Sequence, residues 1–198
     1  MKAEGYLQGR PLSLHVLDYG LFKVHANGRV IGICGFLIQT DAGESVLVDT
    51  GFPQKYAKDK AAATEQDKLY EFGEVLECAM VNMPSAQLAL AGVKPDQIDL
   101  HIVTHTHIDH VGGLDDFPQA PILVSGAERR LPKPLYWGDV QPLEWPAQEY
   151  LGIDDGADVG TGFRVLTVPG PAPGHLAILI DLPGTRPRSL THDAPSAP

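Results

Sequence analysis

The chain has 198 residues, 43% of them hydrophobic and 20% charged, and 25 acidic residues against 15 basic ones give a formal net charge of −10. This length and apolar fraction suit one domain with a buried core, and they argue against disorder over most of the chain. The negative charge, without any cluster of lysine and arginine, argues against binding to nucleic acid or to an anionic membrane surface.

The first half of the chain predicts a β-meander followed by helices. Three short apolar runs, at 14–18, 35–39 and 45–49, are separated by turn residues and predict strands. Apolar residues at helical spacing predict a helix over 65–81 with Thr64 as its cap. A shorter helix is expected from an N-cap at Ser85 to a stop at Gly92, and a strand over 100–104 runs directly into a histidine cluster.

The second half is rich in proline, since 13 of the 17 prolines lie between Pro118 and Pro198, which disfavours long helices there. Strands are predicted at 122–125, 163–167 and 176–182. The loop over 131–146 carries three aromatic residues that either line a substrate entrance or anchor the loop to the core, the second being the commoner role: Tyr136, Trp137 and Trp145. Strands with interspersed helices predict a layered α/β domain.

The residues with the clearest chemical meaning lie in the window His-Thr-His-Ile-Asp-His at 105–110. If the preceding strand continues, His105, His107 and Asp109 point to one side of it. His110 joins them where the following Gly-Gly permits a turn. Imidazole and carboxylate ligands suit zinc, iron, manganese or cobalt, and the lack of cysteine in the window argues against a structural zinc site. Open positions on such a metal generate hydroxide for hydrolysis.

Cellular location is predicted from weaker signals. The first ten residues contain no apolar stretch of the kind found in secretory signals, so we expect a cytoplasmic protein. Its two cysteines, Cys34 and Cys78, are far apart in the sequence and are expected to be buried, reduced thiols.

The pattern at 105–110, followed by Gly-Gly, resembles the metallo-β-lactamase superfamily, and the run Val-Leu-Val-Asp-Thr-Gly at 46–51 is similar to the first motif of that superfamily. The segments 17–20, 49–53 and 167–193 look most like the N-acyl homoserine lactonase group. The resemblance covers about residues 14–193. It implies an α/β, four-layer αββα sandwich over residues 1–193, incomplete at its C-terminal end. The small residues at 194–198 are expected to form a disordered tail.

The resemblance also implies a metal site with assigned residues. His105 and His107 would serve one metal, Asp109 and His110 a second, and Asp193 would bridge the two. Asp109 and Asp193 would be catalytic, because they orient the attacking water and carry its proton. Asp49 and His175 would support the ligands from behind. Zinc is the expected metal, as one or two ions, with iron, manganese or cobalt also possible.

The sequence departs from the family pattern near its end. Pro171 occupies the place of a ligand histidine, and proline has no donor atom for a metal. Ser196 stands where the lactonases carry a tyrosine, His192 replaces a residue that is usually small, and the last family ligand has no counterpart. One metal is therefore expected to be held more readily than two. The missing covering elements would leave apolar surface, so a homo-oligomer is possible.

Three functions remain open from the sequence. The first is a metal-dependent hydrolase that opens the ring of a small lactone resembling an N-acyl homoserine lactone, by attack of metal-bound hydroxide. The second is another hydrolysis on the same scaffold, of a thioester or a β-lactam. The third is a degenerate, non-catalytic remnant of the fold, which Pro171 and Ser196 favour.

Overall fold

The computed structural model describes residues 2–168, 170–185 and 188–190. Within these residues the chain forms eleven strands, four short α-helices and three single-turn 3-10 helices. The strands are β1 (Pro11–Val24), β2 (Val30–Thr40), β3 (Ser45–Val48), β4 (Gly73–Glu77), β5 (Leu100–Ile102), β6 (Ile122–Ser125), β7 (Tyr150–Ile153), β8 (Gly156–Gly160), β9 (Phe163–Thr167), β10 (Leu176–Ile180) and β11 (Arg188–Leu190). The helices are α1 (Gln54–Lys58), α2 (Lys60–Gln66), α3 (Pro84–Leu90) and α4 (Gly126–Arg129).

The strands form two sheets. The first has seven strands in the order β4-β1-β2-β3-β5-β6-β7, and the second has four in the order β11-β10-β9-β8. Strands β1, β2 and β3 pair antiparallel in sequence order, which confirms the predicted meander. Strands β3, β5, β6 and β7 pair parallel to one another, so their carboxyl ends lie at the same edge of the first sheet.

Two apolar cores divide the described residues into layers. One lies between the sheets, where Ile38 and Val46 of the first sheet meet Phe163 and Ile178 of the second. The other lies on the opposite face of the first sheet, against residues from α1, α2 and α3. Burying each large aliphatic side chain contributes roughly 1.5–3 kcal/mol. The layers formed by the described residues are thus helix, sheet and sheet, three of the four layers of an αββα sandwich.

The helix predicted over 65–81 with Thr64 as its cap is wrong. Helix α2 contains Thr64 and ends at Gln66, Lys68 adopts a left-handed φ of 53°, and the chain then forms strand β4. Gly73 permits this strand, because a Cβ there would lie 2.4 Å from the Lys23 carbonyl oxygen of β1. Pairing with β1 supplies regular backbone hydrogen bonds for this strand, and the ring of Phe72, just before it, stacks on Phe22 of β1.

The remaining predicted elements agree more closely with the structure. Strands β6 and β9 have the predicted bounds. Strand β10 ends two residues before its predicted end at 182, and β5 ends at Ile102 instead of at 104. Helix α3 begins at Pro84, so Ser85 is not its cap, but Gly92 follows the helix end with the expected positive φ. Strands β4, β7 and β8 were not predicted.

The loop over 131–146 is anchored to the body of the protein. Tyr136 is 1% exposed, and the Trp145 ring packs edge-on against Tyr150 of β7, with ring centroids 6.0 Å apart. Trp137 packs against Phe72, with ring centroids 4.6 Å apart. These contacts favour the anchoring role of the aromatic residues.

The two cysteines were expected to be buried, reduced thiols. Cys34 and Cys78, both among the described residues, are not joined by a disulfide bond and are half-buried. Burial raises the pKa of each thiol to about 11, so both are thiols at neutral pH.

Of the helices in the described ranges, none has the length and apolar character that crossing a bilayer requires.

His101, in the centre of β5, is fully buried beside Phe117, and its ring nitrogens lack hydrogen-bond partners among the described residues. Burial lowers its pKa from 6.5 to about 4. Between these values the unfolded chain takes up a proton that the folded state refuses, so stability falls as the pH drops from about 6.5 to 4.

We predict that His101→Leu reduces this pH-dependent loss of stability by up to about 3 kcal/mol. The free energy of unfolding in urea, measured across that pH range, tests the prediction. The exposed His25 provides the control, since His25→Leu should retain the wild-type pH dependence. Equal pH dependence in wild type and His101→Leu would contradict the prediction.

Candidate metal centre

The histidine cluster lies where three parallel strands of the first sheet end. The chain leaves β3 at Asp49, leaves β5 towards His105, and leaves β6 into α4, which carries Glu128. Loops at the carboxyl ends of parallel strands are the usual place for ligand sites in such sheets, because the loops converge there. Leu176, the first residue of β10, donates its backbone N–H to the Thr104 carbonyl oxygen at 2.9 Å, so the second sheet reaches the same edge.

The loops after β3 and β5 fit closely together. Thr50 donates to the His110 carbonyl oxygen from both its backbone N–H, at 2.9 Å, and its hydroxyl, at 3.0 Å. The N–H of Gly112 donates to the Gly51 carbonyl oxygen at 2.8 Å. A side chain at Gly112 would place Cβ 2.1 Å from the backbone of Phe52, so only glycine fits there. The two sequence motifs are therefore parts of one structural unit.

Asp49 fixes the orientation of His110. Its carboxylate is completely buried and accepts the Thr104 backbone N–H at 2.8 Å and the Thr104 hydroxyl at 2.6 Å. Oδ2 of Asp49 also lies 2.8 Å from Nδ1 of His110. Because a carboxylate only accepts, the proton of this bond is on Nδ1, and in the neutral ring Nε2 keeps its lone pair. Asp49 thus holds the His110 ring through its Nδ1 atom.

Four imidazole rings meet at the centre of the cluster. The centroid of the His105 ring lies 4.0 Å from that of His110, 4.7 Å from that of His107 and 5.0 Å from that of His175. His105, His110 and His175 are buried, whereas His107 is half-buried. Residues distant in sequence are thus brought into contact.

The predicted continuation of strand β5 through the histidine window is wrong, and a turn replaces it. The strand ends at Ile102, and the backbone N–H of His110 donates to the His107 carbonyl oxygen at 3.0 Å. This turn, rather than strand alternation, brings His110 against His105. The Gly-Gly that follows is therefore used for close packing against the β3 loop.

Asp109 stands at the mouth of the cluster. Its Oδ2 lies 3.5 Å from Nε2 of His110, and 28% of its side chain is exposed. Across the described residues, no group of three or more histidine, cysteine, aspartate or glutamate side chains is arranged so that it could hold a metal ion.

Glu128 is a residue of this site that the sequence did not reveal. Its completely buried carboxylate accepts the Thr106 hydroxyl and backbone N–H, and it accepts the Gly174 backbone N–H at 3.2 Å. The sequence Ser-Gly-Ala-Glu at 125–128 has the form of a capping box, and Ser125 does cap α4. The Glu128 side chain, however, is directed to the histidine loop and to the residue before His175, so it joins the two sheets at the site.

Pro171 and His175 lie on one loop with different exposures. Pro171 is exposed, and His175 is buried beside His105. A side chain at Gly170 would place Cβ 2.1 Å from Nδ1 of His175, so the loop passes tightly over this ring. Asp193, His192 and Ser196 lie outside the described residues, as does the predicted tail at 194–198.

We predict that Asp49→Asn lowers the free energy of unfolding by about 1–3 kcal/mol, because an amide nitrogen replaces an acceptor that serves two buried donors. Urea denaturation of the metal-free protein measures this loss. Asp154→Asn is the control, since Asp154 pairs with Arg130 on the surface, where ion pairs contribute little. Equal losses in the two variants would contradict the assigned role of Asp49.

The chain has relatives among known proteins. An N-acyl homoserine lactonase from a Bacillus species is 30% identical over 170 residues, which cover 80% of this chain and 62% of the relative. A probable metallo-hydrolase of Mycobacterium tuberculosis is 28% identical over 194 residues, which cover 88% of this chain and 60% of the relative. The chain thus spans about 60% of the length of these curated relatives.

Solved structures share the fold. A quorum-quenching N-acyl homoserine lactone hydrolase superposes with a TM-score of 0.72 at 21% identity, covering 91% of this chain and 73% of the other. A probable metal-dependent hydrolase from Staphylococcus aureus superposes with a TM-score of 0.67 at 20% identity, covering 92% and 73%. The family model of the metallo-beta-lactamase superfamily matches residues 35–186, which include both motif loops and all four parallel strands of the first sheet. The chain therefore belongs to the metallo-beta-lactamase superfamily.

Proposed function

We propose that this protein is a metal-dependent hydrolase that opens the ring of a small lactone resembling an N-acyl homoserine lactone. The observation that carries the proposal is the packing of His105, His107 and His110, with Asp49 holding the third ring and Asp109 beside it. Relatives named as N-acyl homoserine lactonases support the choice of substrate class.

The donor set fits a divalent metal by its chemistry. Members of the superfamily bind divalent metals, commonly zinc. Imidazole nitrogens with a carboxylate suit zinc, and they also accept iron, manganese or cobalt. His110 is prepared for such a role, because Asp49 occupies its Nδ1 and leaves Nε2 towards Asp109. We propose His105, His107, Asp109 and His110 as ligands, with Asp193 as the further ligand that joins two ions.

Each residue has a separate task in the proposed reaction. A divalent metal held here supplies Lewis acidity, which lowers the pKa of a water molecule and polarises the lactone carbonyl. Asp109, partly exposed at the mouth, orients the attacking water and accepts its proton. Asp193 is proposed to share this proton transfer. His175 supports His105 from the second sheet, and the buried rings behind the site exclude water.

A second candidate function is favoured by Pro171. If catalysis requires a metal ligand at this position, a chain with proline there keeps the fold but lacks activity, and it is then a non-catalytic remnant. The two candidates differ in a measurable property, since a remnant without catalysis binds at most one metal and hydrolyses no lactone.

We expect the purified protein to contain at least one equivalent of zinc, iron, manganese or cobalt and to hydrolyse an N-acyl homoserine lactone after supplementation. Metal analysis and a pH-based hydrolysis assay test this, with a thioester and a β-lactam as alternative substrates. His107→Ala should lose both metal and activity, whereas the exposed His25→Ala should lose neither. Less than half an equivalent of metal together with no hydrolysis would refute the enzyme.

Pro171→His tests whether this loop position is a ligand position. A histidine there supplies the imidazole that proline lacks, so metal occupancy under limiting zinc should rise. Metal analysis after dialysis measures it, with Pro183→His, at an exposed position in a different loop, as the control. Unchanged occupancy in Pro171→His would show that residue 171 does not correspond to the family ligand.

A further inference from the structure

A second group of charged and polar side chains lies behind the loop over 131–146, and it has no place in the proposed reaction. Asp67, directly after α2, is 1% exposed. Its Oδ2 accepts the hydroxyl of Tyr56 at 2.8 Å and that of Tyr136 at 2.7 Å. Its Oδ1 lies 2.6 Å from Nζ of Lys55. We call these four residues the Asp67 cluster.

The Asp67 cluster is built as a fixed anchor. Burial, with the hydrogen bond to Asp67 as the next cause, raises the pKa of both tyrosines well above the usual range, so both hydroxyls stay protonated and donate. Lys55 neutralises the carboxylate and lies over both tyrosine rings. Hydrogen bonds to an ionised acceptor are stronger than those between neutral groups, and losing one partner of a buried charge is costly.

Tyr136 connects this anchor to the histidine window through its backbone. Its N–H donates to the Thr106 carbonyl oxygen at 2.8 Å, and its own carbonyl oxygen accepts the Ile108 N–H at 2.9 Å. These two bonds flank His107, which pairs with Tyr136 as an isolated β-bridge. His107 lies outside the strands and helices, so this bridge and the bond from the His110 N–H hold its backbone in place.

The backbone of Tyr136 is held in an uncommon conformation. Its φ is +58°, in the left-handed region that a bulky residue rarely adopts. Such a conformation persists only where the surroundings determine it. The hydroxyl bond to Asp67 fixes one end of the side chain, and the two backbone bonds fix the other end against the histidine window.

We propose that Tyr136, held by Asp67, is a positioning residue that sets the place of His107 in the metal site. The metal part of this inference rests on the proposed function. Outer partners of metal ligands commonly change metal affinity by 10-fold to 100-fold when they are lost. A displacement well below 1 Å at His107 is sufficient for such a change, since a binding constellation tolerates only about 0.5 Å.

The two tyrosines of the cluster provide a matched experiment. Tyr136→Phe and Tyr56→Phe each remove one hydroxyl from the same oxygen of Asp67, at nearly equal distances. A purely structural role predicts similar effects of both variants. The positioning role predicts that Tyr136→Phe alone weakens zinc binding, by at least 10-fold in competition with a chromophoric chelator, while Tyr56→Phe remains within 3-fold of wild type.

Hydrogen exchange of the metal-free proteins provides a readout that does not depend on metal. The Ile108 amide, which donates to the Tyr136 carbonyl oxygen, should exchange at least 10-fold faster in Tyr136→Phe and at the wild-type rate in Tyr56→Phe. Equal exchange in the two variants, or faster exchange with unchanged zinc affinity, would overturn the proposal. If wild type binds no zinc, the proposed function fails, and the exchange rates alone then decide whether Tyr136 holds this loop.

Discussion

The completely buried carboxylate of Asp49 is the constraint around which this structure is organised. Removing a carboxylate from water costs several kcal/mol, and it is tolerated only where donors surround it. Thr104 and His110 supply those donors, and both belong to the loop after β5. Asp49 reaches them from a left-handed backbone conformation, which aspartate adopts more readily than most residues. The parallel pairing of β3 with β5 brings the two loops side by side, so the sheet topology makes the contact possible.

The same arrangement occurs twice more around the histidine window. Glu128 binds Thr106 from one side, and Asp67 holds Tyr136, whose backbone pairs with the window from another. A segment that is neither helix nor strand is thereby fixed by buried carboxylates that come from separate elements. Rigid support of this kind is what a reactive loop needs, because its own backbone bonds are too few to define its path.

The sequence patterns predicted correctly those strands whose formation depends mainly on neighbouring residues. Strands such as β6 and β9 were predicted with their observed bounds, since apolar runs between turn residues have few alternatives. The helix over 65–81 failed because the pairing of β4 with β1 is a long-range contact that the apolar spacing does not reveal. At the site, the histidine window and Asp49 were recognised from their motifs. Glu128 and Asp67 were not, because their partners lie 22 and 69 residues away in the sequence.

The backbone hydrogen bond from the Leu176 N–H to the Thr104 carbonyl oxygen links the two sheets beside the histidine cluster. His175 lies in the loop that leads into β10 of the second sheet, whereas His105 lies in the loop after β5 of the first sheet, and their ring centroids are 5.0 Å apart. Whatever separates the two sheets therefore also separates these rings. A ligand that contacts both histidines would add its binding free energy to the association of the sheets, in proportion to the logarithm of its concentration. Binding of such a ligand and association of the two sheets are therefore thermodynamically coupled.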